Sequence, residues 1–551
     1  MPSTKGFIAW EASQLDRTPH VGHLYSMVLA DIIKRWQELK GSRAILSTGT
    51  DEHGMKVQQA AVKAGLDSRP FCDQGAKLFK TLAERAHISN DLFVRTTDPD
   101  HKEAVEYAWA VLQERGYIYP SKHEGWYSVS DETFYPKSAV HLILDPRTGR
   151  KMMTSIETGK EVEWTSESNY HFRLSALKDR LLNFYAHNPN FVVPATRMND
   201  VIRTVSSGLD DLSISRPVER LSWGIRVPGD DSQTIYVWLD ALVNYITKAG
   251  YPWTPGQEST KGWPADCQVV GKDIIRFHCI YWPAFLLALD LPPPRQILTH
   301  AHWTLGHQKM AKSTGNVVNP FFAIDRFEVD TMRYYLAHDG GISDDADYGN
   351  EFIIERYKVD LHRGLGGLSS RILRSKKWNV REAILAGTNG DLPSDMPASA
   401  AHRQALSSLA ERVDRKFQEL DPGAALKLII EMIPETNKYL GQMQPWKIGA
   451  QAEAGDDARA RASTKQKQKQ LQLQLHQTIY LATETLRIVA ILLQPYMPTK
   501  AAELLAMLGV DDAARSFEFT RLGADANYGI PRVQLGRGLE GVLFPPPRSL
   551  E

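Results

Sequence analysis

Cysteine is scarce in this sequence, neither sign of charge prevails, and long apolar runs are missing. Three cysteines stand among 551 residues, Cys72, Cys267 and Cys279, with no CxxC spacing. That excludes a disulfide framework and a thiolate-based zinc site, and it suits a reducing compartment. Lysine and arginine number 65, as do aspartate and glutamate, so the formal net charge is zero. A chain-wide basic face for nucleic acid is therefore excluded, while local basic patches are not. No apolar run is long enough to cross a bilayer, and no membrane partner is expected. The opening Met1-Pro2-Ser3-Thr4-Lys5 reads neither as a signal peptide nor as an Arg-rich transit peptide. No internal repeat is visible. What remains is ordinary soluble composition, 42% hydrophobic and 24% charged, in a chain long enough for two or three domains.

The first half alternates helix and strand. Leu24, Met27, Val28, Ile32 and Trp36 recur at helical spacing up to Leu39. Ala44-Ile45-Leu46 reads as a short buried strand running into the polar, glycine-flanked Thr48-Gly49-Thr50-Asp51-Glu52-His53-Gly54. Gln268-Val269-Val270 begins a second such unit, followed by Gly271-Lys272-Asp273 and a helix through Phe277 and Phe285. Ile297-Leu298-Thr299-His300 is a third strand, ahead of a loop rich in His, Gly and Lys. Sheets of this kind bind ligands at the carboxyl ends of their strands. Across roughly 115–220, aromatics, turns and short alternating runs replace this texture and mark an insertion. Beyond about residue 350 helical patterns take over, around 352–377, 401–420, 423–442 and 475–494. Residues 386–399 read as a loop, and 449–475, with its alternating Gln and Lys, as a solvated loop extending into a helix.

Two motifs carry the chemistry. Pro19-His20-Val21-Gly22-His23 sets two histidines three apart at a helix start, where unpaired N–H groups and the helix dipole favour phosphate. The small Gly22 leaves room for a ligand to approach the backbone. Lys309-Met310-Ala311-Lys312-Ser313 supplies mobile positive charge in a loop flanked by Gly306 and Gly315, able to neutralise a splitting triphosphate. Each motif alone reads more readily as solvated surface. In this order, on either side of split α/β units, they resemble the HIGH and KMSKS signatures of the class I aminoacyl-tRNA synthetases, with Ala311 where serine is usual. Trp238-Leu239-Asp240-Ala241-Leu242-Val243-Asn244-Tyr245, Gly271-Lys272-Asp273-Ile274-Ile275-Arg276-Phe277-His278 and Thr48 to Gly54 resemble the methionyl-tRNA synthetases within that class.

The resemblance implies an α/β Rossmann-like parallel-sheet catalytic domain, residues 1–115 and 221–350, split by a small connective insertion, 116–220. An α-helical anticodon-binding domain follows, 351–551, with the low-complexity segment 449–475. It implies activation of L-methionine by ATP and transfer to methionine tRNA. His20, His23, Lys309 and Lys312 would be catalytic, and Gly22, Gly271, Asp273 and Ser313 would join them around ATP, with Mg²⁺ as its companion. Asp51 and Arg216 would hold the charged end of methionine, and Trp238, Ala241, Tyr245, Ile274 and His278 its side chain. A thioether offers almost no hydrogen-bonding handle, so its selection rests on shape and polarizable contact. Arg371 and Trp446 would read the anticodon, with Arg374, Lys376, Lys377 and Arg381 adding a basic stripe, although Gly367 stands where the family has an asparagine.

Without cysteines the insertion is expected to hold no structural zinc, and with no appended module the chain is expected to be a monomer. Both traits resemble the mitochondrial type, which implies the mitochondrial matrix, and otherwise the cytoplasm. Ala12 to Arg17 lacks the family's opening strand and its tyrosine, so a truncated or misassembled start is expected. That departure, with Ala311 and Gly367, motivates one alternative, a catalytically impaired tRNA-binding paralogue. A synthetase for another amino acid is the other, although the insertion is too small for an editing domain.

Overall fold

The structure is a computed structural model. It describes the chain from Gly6 to Pro547 apart from residues 11–12, 15–17, 130–132, 136, 145–148, 255, 258–261, 311–315, 393–395, 454–461, 537 and 539. Two compact units emerge, one spanning Lys5–Ala30 and Ile45–His302, the other built mainly from Asp31–Ala44 and Trp303–Glu551.

The first unit is organised by a seven-stranded sheet. Cys267–Gly271 and Ile297–His300 are buried at every position, as strands covered on both faces must be. They pair in parallel, Val270 with Thr299 and Gly271 with His300. Val192–Val193 extends the sheet beyond Ile297–His300, and Gly6–Trp10 pairs in parallel on the other side of Cys267–Gly271. Ala44–Asp51 comes next, flanked in turn by Ser13–Gln14 and Leu92–Arg95, both parallel to it. Their carboxyl ends therefore gather at one edge, bringing Asp51, Arg95, Gly271 and His300 to the same margin. The expectation that no opening strand survives is overturned. Gly6-Phe7-Ile8-Ala9-Trp10 is a short apolar run with Ile8 and Ala9 buried, and it occupies the middle of the sheet, while Ser13–Gln14 adds a further pair at Thr50 and Asp51. The strand candidate at Ala44 is also longer than the sequence suggested, reaching Asp51, because its polar half is buried too.

Across the stretch read as an insertion the strand pairing is antiparallel. Ile118–Ser128 and Glu163–Phe172 form its long central pair, bordered by Thr133–Tyr135 and Leu212–Ser213. Val140–Leu144 and Lys151–Ser155 make a separate hairpin. Antiparallel pairing continues through Ser215–Pro217, Arg226–Val227 and Asp230–Ile235 before the helix Val237–Thr247 begins.

The second unit is mostly helical. Its one small sheet among the described residues joins Trp303–Leu305, Gln308–Lys309 and Ala346–Asp347. Long helices follow at Pro397–Gln418, Pro422–Met443 and Ala462–Leu493. Pro397, Pro422 and Pro498 each stand in a first turn, where a missing N–H costs nothing. The reading of 386–399 as a loop is too wide, because Val380–Thr388 is helical and Pro397 already starts the next helix. The Gln/Lys tract divides in the same way. Pro445–Glu453 and the stretch from Ala462 are helical, and 454–461 lies outside the described residues. Within this unit Trp36 stacks on Phe417 at 4.0 Å, and the buried Arg333 donates to Asp31 at 2.6 Å and to the carbonyls of Pro495 and Tyr496.

Three core histidines carry a pH consequence. Burial pushes His278 and His300 in the first unit, and His402 in the second, down to about 4. Unfolding frees each ring to titrate near its ordinary value, so the unfolded chain binds more protons between pH 6.5 and 4, and stability falls as pH falls through that window. Each ring contributes up to ~1.4 kcal/mol per pH unit. Thermal melts at pH 7, 6 and 5 are expected to show a progressive drop in Tm. An unchanged Tm would contradict the neutral burial of these rings.

Candidate active site

The first histidine motif builds its own scaffold. The helix Val21–Leu39 begins one residue after His20, whose carbonyl accepts the first helical hydrogen bond from Leu24. His20 Nδ1 accepts the backbone N–H of Gly22, and His23 Nδ1 accepts the backbone N–H of His20, both at 3.1 Å. This is the reciprocal logic of a capping box, written with imidazoles instead of a hydroxyl and a carboxylate. The two rings stack at 3.8 Å, and Phe79 meets His23 edge-on. With Nδ1 accepting in both bonds, the neutral form of each ring would carry its hydrogen on Nε2. Glycine at 22 has a reason other than ligand approach. A Cβ there would stand 2.9 Å from the Cε1 of His20, so a side chain would displace the capping ring.

At the carboxyl end of its strand, Asp51 is buried and is followed by two tightly held residues. Glu52 accepts Arg95 Nε at 2.6 Å and Arg95 Nη2 at 2.9 Å, together with the hydroxyls of Thr50 and Thr97. His53 is held through Nδ1, 2.6 Å from Asp240. The other oxygen of Asp240 lies 2.7 Å from His101 Nε2. Burial alone would raise the Asp240 carboxyl, but the two histidines outweigh it and bring it down to about 2.

The slot expected for an apolar side chain lies along one face of Val237–Thr247. Trp238, Ala241 and Tyr245 share that face at helical spacing. Tyr245 Oη donates to His278 Nε2 at 2.8 Å, and His278 Nδ1–H donates to the carbonyl of Ile274 at 3.1 Å. With its value near 4, the ring is neutral and its tautomer is set by these two partners. Trp238 stacks on Phe277, with ring centres 3.4 Å apart. Phe277 opens a π-helical turn, Phe277–Tyr281, a widened geometry that often marks functional segments.

Arg216 is buried, not part of a surface ion pair. It donates to Ser213 Oγ and to the Ser215 carbonyl, with its guanidinium 3.8 Å from the centre of the Tyr236 ring. It and Trp238 also border a cavity of about 570 Å³ that opens into the insertion between Trp126, Trp164 and Arg276. Gly271 ends its strand beside His300, and Asp273 in the turn after it lies 3.2 Å from His302 Nε2. His300 Nε2 is 2.7 Å from Ser26 Oγ, which ties the strand end to the helix of the histidine motif.

In the second unit, Lys309 ends a strand paired with Thr304, and Met310 is buried. Ala311, Lys312 and Ser313 lie outside the described residues. Arg371 is exposed and donates to Asn437 at 2.8 Å, and Trp446 is half-buried on Pro445–Glu453. Two members of the expected basic stripe serve the fold. Arg374 donates to the carbonyls of Gly538 and Glu540, and Arg381 to those of Ala526 and Tyr528, fastening the C-terminal segment to these helices.

Sequence reasoning passed over His53, His101, Asp240, Phe277 and His300. Phe277 and Asp240 stand inside the matched motifs and could have been singled out there. His101 offered no local signal.

Comparisons with known proteins give the family. A family model described as tRNA synthetases class I (M) matches residues 14–373. The chain is 51% identical over 540 residues to a probable mitochondrial methionine–tRNA ligase of Neurospora crassa, covering 97% of this chain and 84% of that one. It is 38% identical to the human mitochondrial methionine–tRNA ligase, covering 95% and 90%. Among solved structures, Mycobacterium tuberculosis methionyl-tRNA synthetase in complex with methionyl-adenylate superposes with a TM-score of 0.86 at 36% identity, covering 98% of this chain and all of that one. The chain belongs to the methionyl-tRNA synthetases, within the class I aminoacyl-tRNA synthetases.

Proposed function

We infer that the chain activates L-methionine with ATP to methionyl-adenylate and transfers the methionyl group to a methionine tRNA. The neutral His278, held between Tyr245 and Ile274 beside Trp238, carries this reading, because it supplies an uncharged, polarizable slot with no ionic group for a competing side chain. In the first step the methionine carboxylate attacks the α-phosphorus of ATP and pyrophosphate leaves. In the second, the 2′-hydroxyl of the terminal adenosine attacks the mixed anhydride. The protein's work is positioning and charge stabilisation. His20 and His23 offer Nε2–H donors to phosphate, Gly271 and Asp273 serve the nucleoside, and Lys309, Lys312 and Ser313 serve the phosphates. Asp51 takes the methionine ammonium and Arg216 is its cationic counterpart. Ala241 and Ile274 complete the slot. Arg371, joined to Asn437, and Trp446 offer the planar groups on which unpaired anticodon bases stack.

Mg²⁺ accompanies ATP's phosphates. The described residues offer no cluster of three His, Cys, Asp or Glu side chains to hold an ion, and no step is assigned to it. The insertion has no cysteine in its sequence and is read as zinc-free, and the chain as a monomer. The mitochondrial relatives support a mitochondrial site of action.

Charging of an in vitro transcribed methionine tRNA is expected, with an anticodon-swapped transcript charged poorly. Equal charging of both would overturn the anticodon reading, and charging of neither the function. Lys312→Ala is expected to lower activation ~10²-fold or more with methionine binding nearly unchanged. Parallel losses in both would mean that the lysine loop is wrongly assigned. His20→Asn retains an oxygen near Nδ1 to accept the Gly22 N–H but removes the Nε2 donor, so Tm is expected to hold while activation falls ~10²-fold. His20→Gln does the reverse, lowering Tm more and activity less. Full activity in His20→Asn would show that this histidine only caps the helix.

A further inference from the structure

A carboxylate removed from water is costly unless its oxygens are fully matched, and an apolar residue of similar size is often as stable. Asp240 has no exposed surface, yet it lies in the middle of Val237–Thr247. At helical spacing it points away from the face that carries Trp238, Ala241 and Tyr245. Its two oxygens are divided between His53 Nδ1 at 2.6 Å and His101 Nε2 at 2.7 Å. These histidines come from different segments. His53 follows the strand Ala44–Asp51, and His101 stands in the first turn of the helix Pro99–Glu114, where its Nδ1 is 2.9 Å from Thr247 Oγ1. One carboxylate thus joins the loop after Asp51, the start of one helix and the back of the helix that walls the apolar slot.

The residue directly after Asp51 is already fixed. Besides its ion pair with Arg95, Glu52 has its backbone N–H on Thr96 Oγ1 at 2.9 Å and its carbonyl on Trp223 Nε1 at 2.6 Å. His53 is the next point of attachment along the chain, and its ring also meets Trp223 edge-on at 5.5 Å. We propose that Asp240 is a positioning residue for the amino-acid site: through His53 it sets the distance between the Asp51 carboxylate and the slot carried on the opposite face of its own helix. Two parts of one substrate, a charged α-amino end and an uncharged side chain, must be gripped at a fixed separation. A single buried group bonded to both supports does this, and an apolar filler cannot. The inference rests on the amino-acid activation proposed above, and it adds that the Asp240 pair acts on the amino acid and not on ATP.

Amino-acid-dependent ATP–pyrophosphate exchange by the full chain tests this, reading KM separately for ATP and for whichever amino acid the unsubstituted protein activates. Asp240→Asn conserves volume but puts an amide N–H donor where the second carboxylate oxygen accepts an imidazole N–H, so one of the two bonds is lost. It is expected to raise the amino-acid KM ~10-fold or more while leaving the ATP KM within about twofold and Tm within a few degrees. His53→Asn, which retains an N–H near Nδ1, is expected to stay within about threefold of the unsubstituted amino-acid KM, and His53→Leu to match Asp240→Asn. The His53 pair gives the same readout if Asp240→Asn fails to fold. An unchanged amino-acid KM in Asp240→Asn, equal rises in both KM values, or identical behaviour of the two His53 variants would overturn the proposal. Activation of an amino acid other than methionine would overturn the functional reading instead, and the KM comparison would still judge the role of Asp240.

Discussion

Parallel pairing of Gly6–Trp10, Ala44–Asp51, Cys267–Gly271 and Ile297–His300 is the constraint on which the site depends. In a parallel sheet every carboxyl end faces the same way, and whatever follows each strand converges without further instruction. Asp51, Gly271 and His300 come from segments far apart in sequence, yet register alone makes them neighbours at one margin. The short bridge from His300 to Ser26 then brings the stacked histidines of the first helix to that margin.

On this frame the charges are kept at assigned places. Glu52 is neutralised by Arg95, Asp240 is shared between two imidazoles, and Arg216 is laid against the Tyr236 ring. The slot itself is walled by groups without charge, and burial keeps His278 neutral there although histidine ordinarily titrates near neutral pH. In the proposed function a thioether would be selected by what this slot lacks. Shape and polarizability discriminate only modestly between close apolar analogues, so a pocket of this kind gains most by rejecting polar competitors.

The sequence made the outline of this design legible. Ile297–His300 and Cys267–Gly271 read as strands because buried parallel strands are continuous apolar runs, and the two basic motifs declared their chemistry through spacing. Gly6–Trp10 is hard to read as a strand because five apolar residues near a terminus have no periodicity to announce them. The Asp240 pair was illegible for a different reason. His53, His101 and Asp240 are separated by up to 187 positions, and a buried hydrogen bond across that distance leaves no local pattern. Arg374 and Arg381 look like a phosphate-binding stripe in sequence, since nothing local shows that carbonyls from 526–540 will claim them. The imidazole cap at His20 and His23 was half legible. Spacing put both rings on one turn, but only the structure shows that each accepts a backbone N–H through Nδ1.

The central claim is that one sheet margin grips the ammonium, the thioether and the nucleotide of a single ligand. A crystal structure of the chain bound to a non-hydrolysable methionyl-adenylate analogue addresses it most directly. The account places the thioether between Trp238 and His278, the ammonium on Asp51 and the ribose at Gly271 and Asp273. A ligand seated instead in the insertion cavity beside Trp126 and Trp164, with Tyr245 and His278 untouched, would contradict it.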